Sequence, residues 1–173
     1  MTEAKSELEL RREFNELSLR LRPDLYRYAF WLGRDRQLAE DVVQEALLRG
    51  WKAFGKLEDA SSAKAWLVAI VRREFARTFE RKRLETVDFK DFEQQLSSPE
   101  DDPRLEEMRH AIFELDDDYR EPLALQVLMG HTAREIAQLM ELSEGAVLTR
   151  LHRARARLRQ TLGMAQMEDD NEH

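Results

Sequence analysis

Five arginines and a histidine lie within one short stretch near the end of the chain, SEGAVLTRLHRARARLRQ, residues 143–160. A guanidinium group bonds phosphate oxygens, and it can also pair with two acceptor atoms of guanine at once. The whole protein nevertheless has a formal net charge of −7. Because local fields rather than net charge decide such binding, the stretch indicates a local surface for a polyanion such as nucleic acid.

Residues 144–160 predict an amphipathic helix when they are laid out at about 100° per residue. Its apolar stripe consists of Val147, Leu151, Ala154 and Leu158. Thr149 and Arg153 lie opposite this stripe, and further arginines lie on both flanks. A small polar centre allows close approach to base edges, while flanking arginines meet phosphates, so the helix suits a DNA major groove. The candidate DNA-binding residues are Ser143, Leu148, Thr149, Arg150, His152, Arg153, Arg155 and Arg157.

The residues before this helix predict a partner helix. Thr132 and Glu135 form a capping box that begins the short helix AREIAQLM, and Ser143 can cap the basic helix after a tight turn. Two short helices joined in this way are typical of a helix-turn-helix. A solvated amphipathic helix with an arginine-rich surface is the competing interpretation. The capping box, the turn and the preceding helix favour DNA binding.

Charge is segregated along the rest of the chain. Residues 64–83 carry a net charge of +5, residues 84–108 carry −7 and residues 161–173 carry −4. The segment 85–103 loses the hydrophobic period and contains two prolines, which predicts a flexible acidic linker. With only 6 Gly and 4 Pro, we expect an all-α fold. The expected organisation is two small helical domains at 8–84 and 104–163, the linker at 85–103, and an acidic tail at 164–173.

The hydrophobic period predicts four helices in the first domain. Pro23 suits the first turn of a helix, so one helix is expected to end before it and a second to run to a left-handed cap at Gly33. The third and fourth are expected at about 37–54 and 63–83. The expected buried side of the fourth is Trp66, Leu67, Ile70, Val71, Phe75 and Thr78. Carboxylates of this domain are expected to face solvent. In the second domain, a helix is expected from about Tyr119 to Met129.

Several classes of function find no support in the sequence. The chain has no cysteine, no signal-peptide pattern and no apolar run of about 18 residues, so we expect a cytoplasmic protein without membrane insertion. The four histidines lack ligand spacing, and no phosphate-binding loop, GxGxxG or HExxH motif occurs. We therefore predict no catalytic residue, metal or cofactor, and no enzymatic activity.

Three segments, in this order, resemble the conserved segments of extracytoplasmic-function (ECF) sigma factors of bacterial RNA polymerase. They are AEDVVQEALLRGWKAF (39–54), AWLVAIVRREFARTFERKR (65–83) and GHTAREIAQLMELSEGAVLTRLHRARARL (130–158). The resemblance covers roughly residues 14–162. It implies a factor that binds core RNA polymerase, recognises promoter DNA and initiates transcription of a specific regulon. The implied partners are the clamp of the largest subunit, the flap of the second-largest subunit, promoter DNA and a cognate anti-sigma factor.

The resemblance also implies a division of roles. The first domain would bind the polymerase clamp and would recognise and melt the minus-ten element, and the second would recognise the minus-thirty-five element. The implied polymerase-binding residues are Asp41, Gln44, Glu45 and Leu48. The implied residues for the downstream element are Ser61, Ser62, Lys64, Arg72, Arg73, Ala76, Phe79 and Arg83. Trp66 is expected to belong to the core rather than to stack on a base.

This sequence departs from the family pattern at three positions. Many members have asparagine in place of Arg73, aspartate in place of Arg77 and a basic residue in place of Leu148. The promoter sequence therefore does not follow from the resemblance. The alternative function is that of a free-standing dimeric helix-turn-helix regulator, which would bind a palindromic site by itself.

Overall fold

The structure, a computed structural model, describes residues 6–85 and 103–163. The chain splits into two compact units, Met1–Val87 and Asp88–His173. All regular secondary structure in the described residues is helical, which confirms the predicted all-α class. Residues 86–102, which form most of the predicted linker, and residues 164–173, the predicted tail, lie outside the described residues.

Three helices make up the first unit: α1 (Glu7–Gly33), α2 (Arg36–Phe54) and α3 (Ala63–Glu85). A short 3-10 turn, Ala60–Ser62, precedes α3. Ser6 and Glu9 form a capping box at the start of α1. The Asp35 carboxylate accepts the Leu38 amide at 3.0 Å and begins α2. Buried side chains from all three helices form one core: Phe14, Leu17, Leu21, Leu25, Tyr28, Leu38, Val42, Val43, Leu67, Val68 and Val71.

The predicted helix boundary at Pro23 is wrong, because α1 continues through it. A proline inside a helix costs about 3 kcal/mol, since it removes a hydrogen bond and crowds the preceding turn. Leu21 and Leu25 are buried on either side of Pro23, and their burial offsets that cost. The helix ends at Gly33 as expected, but the left-handed residue is Arg34, with φ 57°.

The buried side of α3 is also shifted from the prediction. Leu67 and Val71 are buried as expected, and Val68 is buried with them. The other predicted members are only partly buried: Trp66, Ile70, Phe75 and Thr78. The core of the first unit therefore lies about one residue round the helix from the predicted stripe.

The second unit contains α4 (Pro103–Glu114), α5 (Asp117–Val127), α6 (Ala133–Met140) and α7 (Glu144–Thr161). The helix expected at Tyr119–Met129 is therefore α5, and it begins and ends two residues earlier. Gly130, with φ 67°, lies between α5 and α6. No helix in the described residues is long and apolar enough to cross a membrane.

A buried arginine holds the turn between α4 and α5. Arg120 Nη1 donates to the carbonyl oxygens of Phe113 at 3.2 Å and Leu115 at 2.8 Å. Its Nη2 atom donates to the Asp117 carboxylate. The turn is thus fixed by side-chain bonds to its own backbone, which limits how far its neighbouring acidic residues can move.

The predicted helix-turn-helix is present with its expected caps. The Thr132 hydroxyl accepts the Glu135 amide at 3.2 Å, and the Glu135 carboxylate accepts the Thr132 amide at 2.7 Å. Glu141, with φ 57°, ends α6, and the Ser143 hydroxyl accepts the Ala146 amide at 3.1 Å to begin α7. These caps fix both ends of the turn that orients α7.

Candidate functional site

One face of α7 is buried and the opposite face is exposed. Val147, Leu151 and Ala154 pack inward, and Leu158 is partly exposed. The exposed candidate residues are Ser143, Leu148, Thr149, His152, Arg153, Arg155 and Arg157, and Arg150 is half-buried. Leu148 is 54% exposed, so it forms an apolar element on an otherwise basic surface. The structure thus brings the predicted upstream-element residues together on one helix.

Thr149 uses its hydroxyl hydrogen within the helix. Its Oγ1 atom donates to the Gly145 carbonyl at 2.9 Å. In this geometry the hydroxyl can accept an intermolecular hydrogen bond but cannot donate one. Donors in the major groove are the amino groups of adenine and cytosine, so these are the base edges that Thr149 can bond.

The arginines of α7 fall into two groups. Three of them bond to side chains of α5 or of the turn before it. The pairs are Arg150–Asp118 at 3.2 Å, Arg157–Asp116 at 2.6 Å and Arg155–Gln126. Arg159 and Arg153 are exposed and have no ion pair or hydrogen bond within the described part of the chain. Of these two, Arg153 is the one that lies a single helical turn from Thr149. Its full set of donors is therefore available to a ligand.

Asp59 organises the loop before α3. The Ser61 hydroxyl donates to its carboxylate at 2.7 Å and the Ser61 amide at 2.8 Å, while the Ser62 hydroxyl donates to its carbonyl at 2.7 Å. The hydrogen bond from the Ser61 hydroxyl, followed by that from its amide, lowers the pKa of the Asp59 carboxyl. Both predicted hydroxyls are therefore engaged, and a bound base would also meet a carboxylate. Asp59 was not among the predicted site residues, although Asp59 followed by Ser61 in a loop is typical of an Asx-turn.

The candidate residues on α3 differ in exposure. Arg73 and Ala76 are exposed, whereas Lys64 and Arg72 are half-buried. The side chain of Arg83 lies outside the described residues. Phe79 is half-buried and stacks on Phe75, with ring centroids 5.6 Å apart and an angle of 18° between the planes. Trp66 lies beside the core ring of Phe54, with centroids 6.3 Å apart.

The candidate polymerase-binding residues lie on α2. Asp41, Gln44 and Leu48 are exposed, and Glu45 is half-buried. Gln44 and Leu48 line a groove of about 820 Å³ between α1 and α2. Apolar side chains of this groove are Leu8, Phe14, Leu47 and Trp51. Leu48 is 51% exposed, so the groove presents an apolar edge that could contact another protein.

Glu74 contradicts the expectation that the carboxylates of the first unit face solvent. Only 5% of it is exposed, and it pairs with Arg49 of α2 and Arg77 of α3, each at 2.8 Å. Glu45 joins the same network through Arg49 at 2.8 Å and Arg77 at 3.9 Å. Glu74 lies three residues after Val71, on the same helical stripe, and this spacing could have predicted its burial.

The described residues contain no group of three or more His, Cys, Asp or Glu side chains that could hold a metal ion. His131 is buried, and its Nδ1 atom lies 3.2 Å from the Met129 carbonyl oxygen. It thus belongs to the packing between α5 and α6.

Comparison with known proteins gives matches in both units. The family model described as sigma-70 region 2 matches residues 17–85, and that described as sigma-70, region 4, matches residues 105–158. The ECF RNA polymerase sigma factor SigM of Bacillus subtilis is 32% identical over 143 residues, which are 79% of this chain and 86% of SigM.

Solved structures give similar results. The sigma factor RpoE of Bartonella quintana, in complex with the anti-sigma factor NepR, is 26% identical with a TM-score of 0.73, covering 88% of this chain and 98% of that one. CnrH, in complex with the cytosolic domain of CnrY, is 25% identical with a TM-score of 0.66, covering 89% and 90%. The chain therefore belongs to the ECF sigma factors of the sigma-70 family and functions in transcription initiation by RNA polymerase.

Proposed function

We propose that the second unit recognises the minus-thirty-five promoter element by placing α7 in the major groove. The observation that carries this proposal is the exposed face of α7. There Arg153 has no partner in the described residues and lies one helical turn from Thr149, with arginines on both flanks. The base edges would be contacted by Thr149, Arg153 and Leu148, and the flanking arginines would meet phosphates.

The first unit is proposed to bind the clamp of the largest polymerase subunit through Asp41, Gln44, Glu45 and Leu48. Exposure of three of these residues and the adjoining groove support this assignment. The minus-ten element is assigned to the loop before α3 and to the candidate side chains of α3, of which Arg73 and Ala76 are exposed. Because the Ser61 and Ser62 hydroxyls donate to Asp59, they would accept hydrogen bonds from DNA, and they would donate to it only after the loop rearranges.

Further partners are proposed on the same basis. Leu105, Met108 and Val127 are exposed apolar side chains of the second unit, and they support a contact there with the flap of the second-largest subunit. A cognate anti-sigma factor is proposed because the similar RpoE was solved in complex with the anti-sigma factor NepR. The relatives act as sigma factors, and we propose that this chain likewise carries out no covalent chemistry and works in the cytoplasm beside the polymerase.

The functional domains are proposed at residues 8–84 and 104–163, with an acidic linker at 85–103 and an acidic tail at 164–173. Separate cores and the change in composition between them support these limits. Two modest DNA contacts joined by one chain and held by polymerase gain from effective concentration, so neither needs to be strong alone.

A run-off transcription assay tests the proposal. Purified protein would be added to core polymerase on promoter fragments from its own genome, with core polymerase alone as the control. We expect discrete start sites that depend on the added protein. Tight binding of the free protein to a palindrome, without any initiation, would instead support the dimeric regulator.

A further inference from the structure

Two aspartates flank the start of α5 and bond to arginines of α7. Asp118 Oδ1 lies 3.2 Å from Arg150 Nη1, and Asp116 Oδ2 lies 2.6 Å from Arg157 Nη1. These pairs join residues 32 and 41 positions apart in the chain, so they form only in the folded unit. They place two carboxylates against the flank of the helix that is proposed to bind DNA.

The Asp116 carboxylate accepts a hydrogen bond from Arg157 and does not cap its own helix. Asp116 occupies the N-cap position of α5, yet its side chain makes no capping hydrogen bond. An aspartate at this position normally accepts a hydrogen bond from an amide of the first turn and so stabilises the helix. Its carboxylate bonds to Arg157 in place of that local contact. The sequence position alone would assign Asp116 to capping, whereas the structure assigns it to α7.

The surroundings of these pairs are fixed. The Arg120 side chain ties the turn to the Phe113 and Leu115 carbonyl oxygens. The Tyr119 ring lies against the Arg157 guanidinium, with Cζ 4.5 Å from the ring centroid. One face and one edge of Arg157 are therefore occupied within the protein. Only the remaining N–H donors of Arg157 are available to a phosphate.

The pairs change the charge that α7 offers to DNA. Each phosphate neutralised by a free cation releases counterions, and this affinity carries no sequence information. A guanidinium that already faces a carboxylate releases fewer counterions, because phosphate must compete with that carboxylate. Arg153, which has no partner in the described residues, keeps its full charge at the centre of the exposed face. The acidic turn therefore lowers the affinity of the flanking arginines for phosphate and leaves the charge of Arg153 unchanged.

We propose that Asp116 and Asp118 are specificity-determining residues: they compete with DNA phosphates for Arg157 and Arg150 and so lower sequence-independent affinity. The inference rests on the proposed binding of DNA by α7. Promoter fragments and random DNA share the phosphate contribution, but only promoter DNA gains from base contacts. Lowering the shared contribution makes promoter recognition depend more strongly on the base contacts and on the polymerase.

The test measures binding of the full-length protein to a labelled random-sequence duplex over a series of salt concentrations. The variant is Asp116→Asn with Asp118→Asn. The matched control is Glu107→Gln with Glu114→Gln, which removes two exposed carboxylates of α4 that have no bond to α7 in the described residues. We expect the aspartate variant to bind random duplex roughly tenfold more tightly at low salt, with a salt slope steeper by up to about 2. The control should change binding far less.

Equal or weaker binding by the aspartate variant, relative to the control variant, would overturn the inference. Each single aspartate variant should give about half the change in slope, which keeps the test decidable if the double variant does not fold. A third variant, Arg150→Gln with Arg157→Gln, distinguishes a failure of the proposed DNA binding by α7 from a failure of the inference about the aspartates. If it binds random duplex as the unaltered protein does, the placement of α7 on DNA has failed. If it binds more weakly while the aspartate variants are unchanged, only the inference has failed.

Discussion

Arg153 differs from its neighbours on α7 in what it contacts. Arg150, Arg155 and Arg157 each bond to a side chain of the second unit, whereas Arg153 projects from the exposed face without a partner in the described residues. An arginine that is not already bonded can form a bidentate contact with guanine at no cost in broken ion pairs. Under the proposed placement of α7 in the major groove, Arg153 is therefore the arginine beside Thr149 that can contact a base without breaking an ion pair.

Arg153→Ala is expected to reduce discrimination at one position of the upstream element by about 1–3 kcal/mol, because a bidentate base contact contributes that much. The measurement is transcription by the holoenzyme on a panel of single-base promoter mutants. Arg159→Ala, an exposed arginine in the last turn of the same helix, is the matched control. It removes the same charge and should lower activity on all promoters alike. A panel profile for Arg153→Ala that parallels the unaltered protein would exclude the contact.

Glu74→Gln is expected to lower the free energy of unfolding of the first unit by about 1.5–3 kcal/mol, the range for hydrogen bonds to charged groups. Arg49 and Arg77 remain exposed enough to be hydrated, so the loss should stay below that of a fully buried pair. Urea unfolding of the two proteins measures the difference. Glu80→Gln, an exposed glutamate of α3, should leave the unfolding free energy nearly unchanged.

Which residues of α7 are buried and which are exposed was predictable, because the faces of a helix depend only on helical geometry. Val147 and Leu151 are buried and Arg153 is exposed, as the 100° spacing requires. The partners of Arg150 and Arg157 were not predictable. Asp118 and Asp116 lie on another helix and its preceding turn, and nothing in the local pattern indicates which distant carboxylate a folded arginine meets.

At the scale of the helix, local sequence signals predicted the helix caps correctly but predicted a helix boundary at Pro23 that is absent. The capping box at Thr132 and the cap at Ser143 depend on neighbouring residues alone, and both are present as predicted. Pro23 carries an equally clear local signal, but burial of Leu21 and Leu25 outweighs it and α1 continues. A local preference of a few kcal/mol is decisive only where tertiary packing does not oppose it.

Gly50 lies where the helices of the first unit pack closely, so a substitution there tests that packing. A Cβ atom added there would lie 2.9 Å from Leu67 Cδ1 and 3.3 Å from Phe14 Cζ. Gly50→Ala should therefore cost about 1–3 kcal/mol through overpacking, partly offset by the roughly 1 kcal/mol gained in helix propensity. Thermal and urea unfolding measure the net destabilisation that we expect.

Gly145→Ala is the matched control for that substitution. A Cβ atom at Gly145 meets nothing within 4 Å, so only helix propensity should change. We expect stabilisation of up to about 1 kcal/mol. Stabilisation by both substitutions would contradict the close packing of α2 against α1 and α3.

At the scale of the whole molecule, the chain contains two separate cores. Leu25 and Val68 belong to the first, and Ile136 and Leu151 belong to the second. The two-domain class was predictable because the loss of hydrophobic period marks the break between the cores. The burial of Glu74 was not predicted, although its spacing of three residues from Val71 places it on the buried stripe of α3.

Leu151→Ala is expected to destabilise the second unit by about 2–5 kcal/mol, since Leu151 is 1% exposed and its removal leaves a cavity. Hydrogen exchange followed by mass spectrometry resolves the effect along the chain. Amides of α5, α6 and α7 should exchange faster, while those of α1, α2 and α3 should keep their rates. Acceleration throughout the chain would show that the two units unfold together.

The ion-pair network around Glu74 has a consequence for genetics. Glu45, assigned to the polymerase, pairs with Arg77, on the helix assigned to promoter DNA, at 3.9 Å, and both belong to this network. Under these assignments a substitution at either residue releases a charge that the other must then accommodate, so their effects should be epistatic rather than additive. A screen scored by promoter use would recover Glu45 substitutions among its promoter mutants, although Glu45 is assigned to the polymerase.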